Sequence, residues 1–338
     1  MRGFITLRDF KNRLTFRDGG SGAFQRSFGG ISAHYEGQWE KLKIQIGIES
    51  DRQRDERQRF NNLNGKIGDQ TLNQTERFGS TAIFAFTEWH PLSILTLTGA
   101  IRQDWLVLSV SDLFLKDGNQ SGMRNYSRFN PAVGFSVKAS SSLFFYGNYT
   151  TGFETPTLNE LSANPLQTGG FNPELQPQAS ENLEIGVKYR FFPKNQAELS
   201  LFHINLKNES VGYRLAATDT RTYFRNAGTG QRRGAELAVN TQISEWLNVL
   251  VNYTFSDFYY KKYEVNGADF SGKTTPATPK HVFFSELRWE HSSSVFAIVQ
   301  IRAVDKMFAD DANTIISKDF WTAGFRAGFS WLKTGSSF

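Results

Sequence analysis

Strict alternation of apolar and polar residues is the feature of this sequence that most limits its fold. In the segment "NLEIGVKYRF", Leu183, Ile185, Val187, Tyr189 and Phe191 share one face, and charged residues occupy the other. The same pattern recurs in "LKIQIGI", "LNVLVNYTF" and "FWTAGFRAGFSW". A period of two residues places successive side chains on opposite faces of a strand. The sequence therefore predicts an all-β fold of about fifteen strands, each with one apolar and one polar face.

The predicted connections between these strands alternate between short and long. The short ones fall near 10–12, 39–41, 90–92, 139–142, 192–195, 242–245 and 291–293. The long ones fall near 18–29, 51–77, 106–125, 152–179, 208–220, 258–279 and 305–318. All short turns then lie at one end of the strands and all long loops at the other. This sorting is typical of an antiparallel transmembrane β-barrel with short periplasmic turns and long extracellular loops.

The residue composition agrees with this architecture. The sequence has 31 Phe, 11 Tyr and 7 Trp, and it lacks an apolar stretch of the roughly 18 residues that a membrane-spanning helix needs. Aromatic side chains near the predicted strand ends fit the two interfacial belts of a barrel; they are Trp39, Trp89, Trp105, Tyr149, Phe191, Trp246 and Trp289. A soluble β-sandwich or propeller is the alternative, although its strands usually run to only about 5 to 6 residues.

The charged residues indicate a polar lumen and argue against a nucleic-acid groove. The net charge is only +5, because 38 basic residues are interspersed with 33 acidic ones. On the lipid face of a barrel, an Arg or Lys at the bilayer midplane costs about 2 to 4 kcal/mol. We therefore expect the polar faces to line the lumen, with Glu184, Lys188, Arg190, Glu236, Asn240, Asn252, Arg302 and Arg326 among the lining residues.

Three ordered motifs give the chain a family resemblance. The segments "YTTGFETPTLNEL" and "NPELQPQASENLEIGVKYRF", then "FRNAGTGQRRGAELAV", then "TPATPKHVFF" resemble signatures of the TonB-dependent outer-membrane receptor family. Glu154 stands where the family usually has Arg, and Gln178 stands where Glu is common. The residues that match the motifs are Gly152, Phe153, Pro156, Thr157, Glu160, Asn172, Pro173, Leu175, Pro177, Asn226, Gly228, Gly234 and Glu236.

The resemblance implies a larger protein than residues 1–338. Barrels of this family have 22 strands and a plugged lumen, and the N-terminal plug domain and the segment that TonB grasps have no counterpart here. We therefore expect a fragment, a partial barrel with about fifteen of the 22 strands, since unpaired strand edges in lipid are costly. The resemblance also implies a monomer in the outer membrane, in contact with lipid and lipopolysaccharide, whose energy comes from the TonB complex.

The function that the resemblance implies is active uptake of a scarce ligand, above all a ferric siderophore, at the outer mouth of the barrel. Such ligands are often anionic and aromatic, which suits Arg and Tyr side chains in the outer loops. By position, the candidate ligand-binding residues are Tyr213, Arg214, Arg221, Tyr223, Tyr259 and Tyr260.

Other functions receive less support from the sequence. Neither the five histidines nor the glycine-rich segments form a catalytic, phosphate-binding or dinucleotide-binding motif, so we expect no enzyme, no cofactor and no metal site. Asp310 and Asp311 could bind a divalent ion, but exposed loop acids are the simpler interpretation. A passive porin or adhesin barrel is the first alternative function, and a soluble binding module is the second.

Overall fold

The computed structural model describes residues 1–13, 20–166, 169–192, 194–216, 221–226, 228–265, 267–292 and 294–329. Among these residues, the only helices are a one-turn α-helix, α1 (Leu158–Ser162), and a 3-10 turn at Leu115–Asp117. Neither helix is long and apolar enough to cross a membrane.

Fourteen long strands form one antiparallel sheet in the described part of the chain. In sheet order they are β1 (Arg2–Arg13), β2 (Ser21–Gln38), β3 (Leu42–Leu63), β4 (Lys66–Leu92), β5 (Leu95–Asp112), β6 (Gly122–Lys138), β7 (Leu143–Glu154), β8 (Gln178–Arg190), β9 (Gln196–Lys207), β12 (Thr229–Ser244), β13 (Leu247–Lys262), β16 (His281–Glu290), β17 (Val295–Val304) and β20 (Phe320–Phe329). Each strand pairs with its neighbours along the chain, which confirms the predicted meander of hairpins.

Three small hairpins lie in the connections at one end of this sheet. They pair β10 (Ser210–Tyr213) with β11 (Tyr223–Asn226), β14 (Glu264–Val265) with β15 (Ala268–Asp269), and β18 (Met307–Phe308) with β19 (Ile316–Ser317). The opposite end has only brief turns, such as 93–94 and 245–246. From β5 onward, the predicted sorting of short and long connections is therefore confirmed.

Two predicted boundaries near the start of the chain are wrong. The predicted turn at 10–12 lies inside β1, where Phe10 pairs with Phe24 of β2, so the described sheet has fourteen strands rather than fifteen. The predicted loop at 18–29 is β2 from Ser21 onward, and residues 14–19 lie outside the described residues.

The predicted long loop at 51–77 is also wrong. It is the outer part of the β3–β4 hairpin, which turns at Asn64 and Gly65, both with positive φ. We name this part, residues 51–77, the tall hairpin. Its residues are polar on both faces, so the apolar alternation that identifies a strand disappears although the hydrogen-bond ladder continues. Such a pattern is expected where a strand leaves the membrane and both of its faces meet water.

The cross-strand register gives the sheet one apolar and one polar face. The apolar face carries a belt of exposed large side chains, which is the pattern of a lipid-facing wall. The belt includes Ile31, Ile46, Ile48, Ile83, Ile101, Val133, Leu183, Ile185, Leu199, Leu201, Val299 and Ile301. We call this face the outer wall. Trp39, Trp89 and Trp246 are about half exposed at the short-turn end, and Trp105 and Tyr149 lie farther along their strands.

The opposite face, the inner wall, carries all eight residues that the sequence assigned to the lumen. Tyr146 on this face donates its hydroxyl to Glu184 and Glu198, and Lys188 forms an ion pair with Glu198 at 3.1 Å. Glycines leave room for rings here. A Cβ at Gly234, one of the motif residues, would collide with the Phe255 carbonyl oxygen and the ring of Phe202.

Candidate functional site

The connection between β7 and β8, which we name the cap loop (residues 155–177), is irregular but well anchored. Its helix α1 begins with a capping box in which the Thr157 amide donates to Glu160 Oε2 at 2.7 Å. The Thr157 hydroxyl accepts from the Glu160 amide at 3.3 Å. This reciprocal pair satisfies two amides that a helix start would otherwise leave open. Motif residues Thr157 and Glu160 thus fix the beginning of the helix.

Apolar side chains hold the cap loop against the inner wall. Leu161, Phe171 and Leu175 are buried and form one cluster with Leu108 and Val110 of β5. Complete burial of a Leu side chain stabilises by about 1.5 to 3 kcal/mol. The loop therefore has a core of its own and folds back over the inner face of the barrel wall.

Two motif asparagines join the cap loop to the β10–β11 hairpin. The Asn172 amide donates to the Leu161 carbonyl at 2.7 Å, and its Nδ2 donates to the Phe224 carbonyl at 3.0 Å. Asn226 accepts from the Gln176 amide at 2.8 Å and donates to the Gln176 carbonyl at 2.9 Å. Short polar side chains that mimic a backbone pairing are well suited to connecting irregular segments. These asparagines therefore fasten the cap loop to the β10–β11 hairpin.

Four further motif residues occupy positions that the fold explains. Pro156 and Leu175 are buried, and Phe153 lies on the outer wall where β7 ends. Gly228 has φ +56°, and a Cβ there would collide with the carbonyl oxygen of Lys262, so both the backbone angle and the space require glycine.

An ion-paired layer lies on the inner wall beneath the cap loop. Asp55 is almost fully buried and accepts from both Nε and Nη2 of Arg26, at 2.8 and 2.6 Å. Arg57 donates to the buried Glu76 at 2.8 Å and contacts Asn159 of α1 at 3.4 Å. The inner wall next to the cap loop is thus lined by paired charges, which suits a polar path through the barrel.

A tyrosine cluster fastens two further loops. Tyr260 and Tyr263 donate their hydroxyls to the two oxygens of Asp311, at 2.8 and 3.2 Å, and their rings lie 4.6 Å apart. Burial, together with the neighbouring Asp311 carboxylate, raises the pKa of Tyr263 to about 12. This cluster links residues 263–280 to residues 305–319.

The structure brings four of the six candidate ligand residues together on the β10–β11 hairpin. The ring centroids of Tyr213 and Tyr223 are 6.2 Å apart, and Arg221 stacks over Tyr223 at 5.5 Å while donating to the Ser162 carbonyl at 2.7 Å. Arg214 is exposed and Tyr213 is half-buried, but Tyr223 is buried. Tyr213, Arg214 and Arg221 are therefore the members that a ligand can reach.

The other two candidates lie at the outer end of β13 and have partners within the protein. Tyr260 is 3% exposed with its hydroxyl on Asp311, and Tyr259 donates its hydroxyl to Gln231. Sequence reasoning missed Arg225, whose guanidinium lies 4.1 Å from the Tyr213 ring centroid and also hydrogen-bonds Tyr263. Its position inside the motif "FRNAGTG", two residues after the candidate Tyr223, was the signal available for it.

The two loop acids that the sequence left open to metal binding have protein partners. Asp310 accepts from the Thr314 hydroxyl and the Ile315 amide, which hold its pKa below the usual value, and Asp311 holds the two tyrosines. Among the residues that the structure describes, no group of three or more His, Cys, Asp or Glu is arranged to hold a metal ion.

Comparisons with known proteins agree with this architecture. The family model described as TonB dependent receptor-like, beta-barrel matches residues 3–335. The iron-regulated outer membrane virulence protein of Vibrio cholerae serotype O1 is 28% identical over 209 residues, which cover 57% of this chain and 31% of that protein. The ferrioxamine receptor of Yersinia enterocolitica is 30% identical over 141 residues, 42% of this chain and 19% of that protein.

A solved structure shows the same fold. The ferric citrate transporter FecA, in its unliganded form, superposes with a TM-score of 0.74 at 16% identity, and the match covers 98% of this chain and 51% of FecA. The chain thus spans about half the length of this solved relative. The fold is that of an outer-membrane receptor barrel, and the alternative of a soluble sandwich or propeller is wrong.

Proposed function

Because this chain belongs to the TonB-dependent receptor-like β-barrel family, we propose that it forms part of a receptor for active uptake of a ferric siderophore. The family consists of transport receptors and not enzymes, and the barrel lies in the outer membrane. The observation that carries the proposal is the family match over nearly the whole chain. The names of the two relatives, one iron-regulated and one a ferrioxamine receptor, support iron as the cargo.

The proposal places the energy-transducing parts outside residues 1–338. Force from the TonB complex would reach the ligand through a plug domain inside the barrel, and we assign that domain to the remainder of a longer protein. The inner wall supplies a polar surface for such a domain, and this surface includes the ion pairs Arg57–Glu76 and Arg102–Glu49. No bond of the ligand has to break in this process.

Ligand binding is proposed at the β10–β11 hairpin. Arg214 and Arg221 offer guanidinium groups that hydrogen-bond carboxylate or catecholate oxygens in a fork geometry. Tyr213 offers a ring face beside them, while the buried Tyr223 and the half-buried Arg225 contact that ring. We propose Tyr213, Arg214 and Arg221 as ligand contacts, and Tyr223, Tyr259 and Tyr260 as supports.

Uptake by living cells tests the proposed function. The full-length gene would be expressed in a strain that lacks its own siderophore receptors, and uptake of radioactive iron would be measured with hydroxamate, catecholate and citrate chelates. We expect uptake of one chelate class that disappears when TonB is deleted. Equal uptake without TonB would instead support the passive porin, and uptake of cobalamin or a glycan alone would refute iron as the cargo.

Substitutions in the hairpin test the proposed contacts separately. In the full-length protein, Arg214→Gln and Arg221→Gln should each weaken binding of the transported chelate by about tenfold, since each removes a charge-assisted hydrogen bond. Lys116→Gln, which removes an exposed cation from a different outer loop, is the matched control and should leave the affinity unchanged. Unaltered binding in both arginine variants would contradict the placement of the site but not the transport function.

A further inference from the structure

Three arginines form a cluster on the outer wall that the uptake function does not use. Arg54 of β3 lies directly opposite Arg77 of β4 in the ladder, and Arg52 is two residues away on the same face. Side chains that face each other across an antiparallel pair have Cβ atoms about 4.5 to 5.5 Å apart, and like charges there are destabilising. We name Arg52, Arg54 and Arg77 the arginine patch.

Protein carboxylates neutralise only part of this patch. Arg54 pairs with Glu56 at 2.9 Å, and both side chains are more than half exposed. Arg52 donates to the Asp51 and Ser80 carbonyls at 2.7 and 2.6 Å, and Arg77 donates to the Ser111 hydroxyl at 3.2 Å. Within the described residues, neither Arg52 nor Arg77 has an acid within ion-pair distance, so the patch keeps a net charge of two.

A groove of about 600 Å³ runs beside the patch along the outer wall. Gly29 and Gly79, the two direct ladder partners of Arg52, carry no side chains, which leaves room for the Arg52 side chain on the floor of the groove. The Arg52 chain lies across Gly79, with its Cδ 3.4 Å from the position of a Cβ. Apolar side chains, among them Ile5, Trp105 and Val107, line the rest of the groove.

The position of the patch corresponds to the outer boundary of the membrane. Leu42 begins β3 at the short-turn end, and Arg52 lies ten positions farther along the strand. At a rise of about 3.4 Å per residue and a tilt of about 40°, this distance is roughly 25 Å along the membrane normal, the height of the apolar band of such barrels. Ile48 and Ile83 of the belt lie just below, and Trp105 lies at the border.

From these observations we propose that the arginine patch binds the phosphate groups of an outer-leaflet lipid, of the lipopolysaccharide type, whose acyl chains lie along the belt below. A phosphate between Arg54 and Arg77 would relieve their mutual repulsion, and Arg52 would complete a three-sided anion site. The apolar part of the groove, next to Trp105, accommodates the sugar or acyl portion. This site lies on the outer wall at the level of the lipid headgroups, so it is independent of the ligand mouth and of the proposed transport.

Lipid retention by the purified protein tests the proposal. The full-length protein would be extracted in mild detergent, and its affinity for lipid A with two phosphates, for monophosphorylated lipid A and for inorganic phosphate would be measured by native mass spectrometry and competition. We expect Arg52→Gln combined with Arg77→Gln to weaken binding of the bisphosphorylated lipid about tenfold or more. The double variant Arg52→Lys with Arg77→Lys should retain most of the affinity for this lipid.

Arg233→Gln is the matched control, since Arg233 is also an exposed arginine on the outer wall but pairs with Asp257 at 2.7 Å. Its lipid affinity should equal that of the parent, and the heat-modifiable band on a denaturing gel should show that every variant forms a barrel. Unchanged retention in the double Gln variant would overturn the proposal. Equal loss in Arg233→Gln, or complete displacement of the lipid by millimolar inorganic phosphate, would also overturn it.

Discussion

The tall hairpin and the cap loop both extend the barrel on its outer side, but they are ordered by different means. In the tall hairpin, a backbone ladder with register shifts near Phe60 runs from the belt to the turn at Asn64. Arg57 pairs with Glu76 across it, and Asp55 pairs with Arg26 of the neighbouring β2. The cap loop, as far as its residues are described, forms no ladder. It depends on a capping box, side-chain amides and the buried residues Leu161, Phe171 and Leu175.

This difference explains why one region is hidden in the sequence and the other is conspicuous. A ladder needs no particular side chains, so polar residues on both faces of the tall hairpin remove the alternation without removing the strand. An irregular loop with its own core needs specific residues, prolines, asparagines and glycines, at fixed positions. We infer that the cap loop is sensitive to single side chains, and that the tall hairpin tolerates most changes outside its buried ion pairs.

The largest expected effect comes from the core of the cap loop. Leu161 is fully buried, so Leu161→Ala should lower the free energy of opening of the loop by about 3 kcal/mol, through lost burial and the cavity left behind. Hydrogen exchange of the full-length protein in detergent would measure this opening at residues 158–176.

Leu166→Ala in the same loop is the control for this change. Leu166 is 61% exposed, and its truncation should alter protection by less than about 0.5 kcal/mol. A loss of protection in the tall hairpin equal to that in the cap loop would show that the two regions open together, and the contrast between them would then fail.

A smaller effect is expected from the buried ion pair of the tall hairpin. Asp55→Asn leaves the Arg26 guanidinium without its carboxylate, but the Arg26 side chain is 35% exposed and can recover part of its hydration. We therefore expect a loss of about 1 to 2 kcal/mol in local stability, below the value for a fully buried pair. Hydrogen exchange in residues 51–63 would measure it, and the cap loop should be unchanged.

Glu56→Gln is the matched control on the next residue. Glu56 pairs with Arg54 in an exposed ion pair, so its loss should cost less than about 1 kcal/mol. If Glu56→Gln and Asp55→Asn lowered protection equally, burial would not be the cause of the larger effect.

Much of the fold follows from the sequence because the lipid-facing wall imposes a simple rule. Wherever one face meets lipid, as in Leu183 to Phe191, alternation identifies the strand and assigns its faces, and all eight predicted lumen residues lie on the inner wall. The rule ends at the membrane boundary. The strand extensions at 51–77 and 21–29 were missed because no apolar face is required there.

For the candidate site, the sequence predicted the approximate location but not the exposure of the individual residues. Position along the chain located Tyr213, Arg214, Arg221 and Tyr223 on one hairpin, but it could not show that Tyr223 and Tyr260 are buried. That outcome depends on long-range packing, such as the contact between Tyr260 and Asp311, residues 51 positions apart. The roles of Asn172 and Asn226 as loop connectors depend on similar tertiary hydrogen bonds.

The smallest predicted effect extends the comparison to a third outer segment, residues 263–280, which the Tyr263 hydroxyl fastens to Asp311. Because folding raises the pKa of Tyr263 from 10.0 to about 12, its contribution is fully present below pH 10 and is lost as the pH rises toward 12. Tyr263→Phe should remove about 1 kcal/mol at neutral pH.

This chain has no cysteine, so a fluorophore on Ala268→Cys can report the loop, and one on Lys66→Cys can report the tall hairpin. We expect an alkaline transition between about pH 10 and 12 at position 268 that Tyr263→Phe abolishes and that Tyr213→Phe leaves intact. The same transition at position 66 would contradict the assignment, since the tall hairpin is held by its ladder and does not contain this tyrosine.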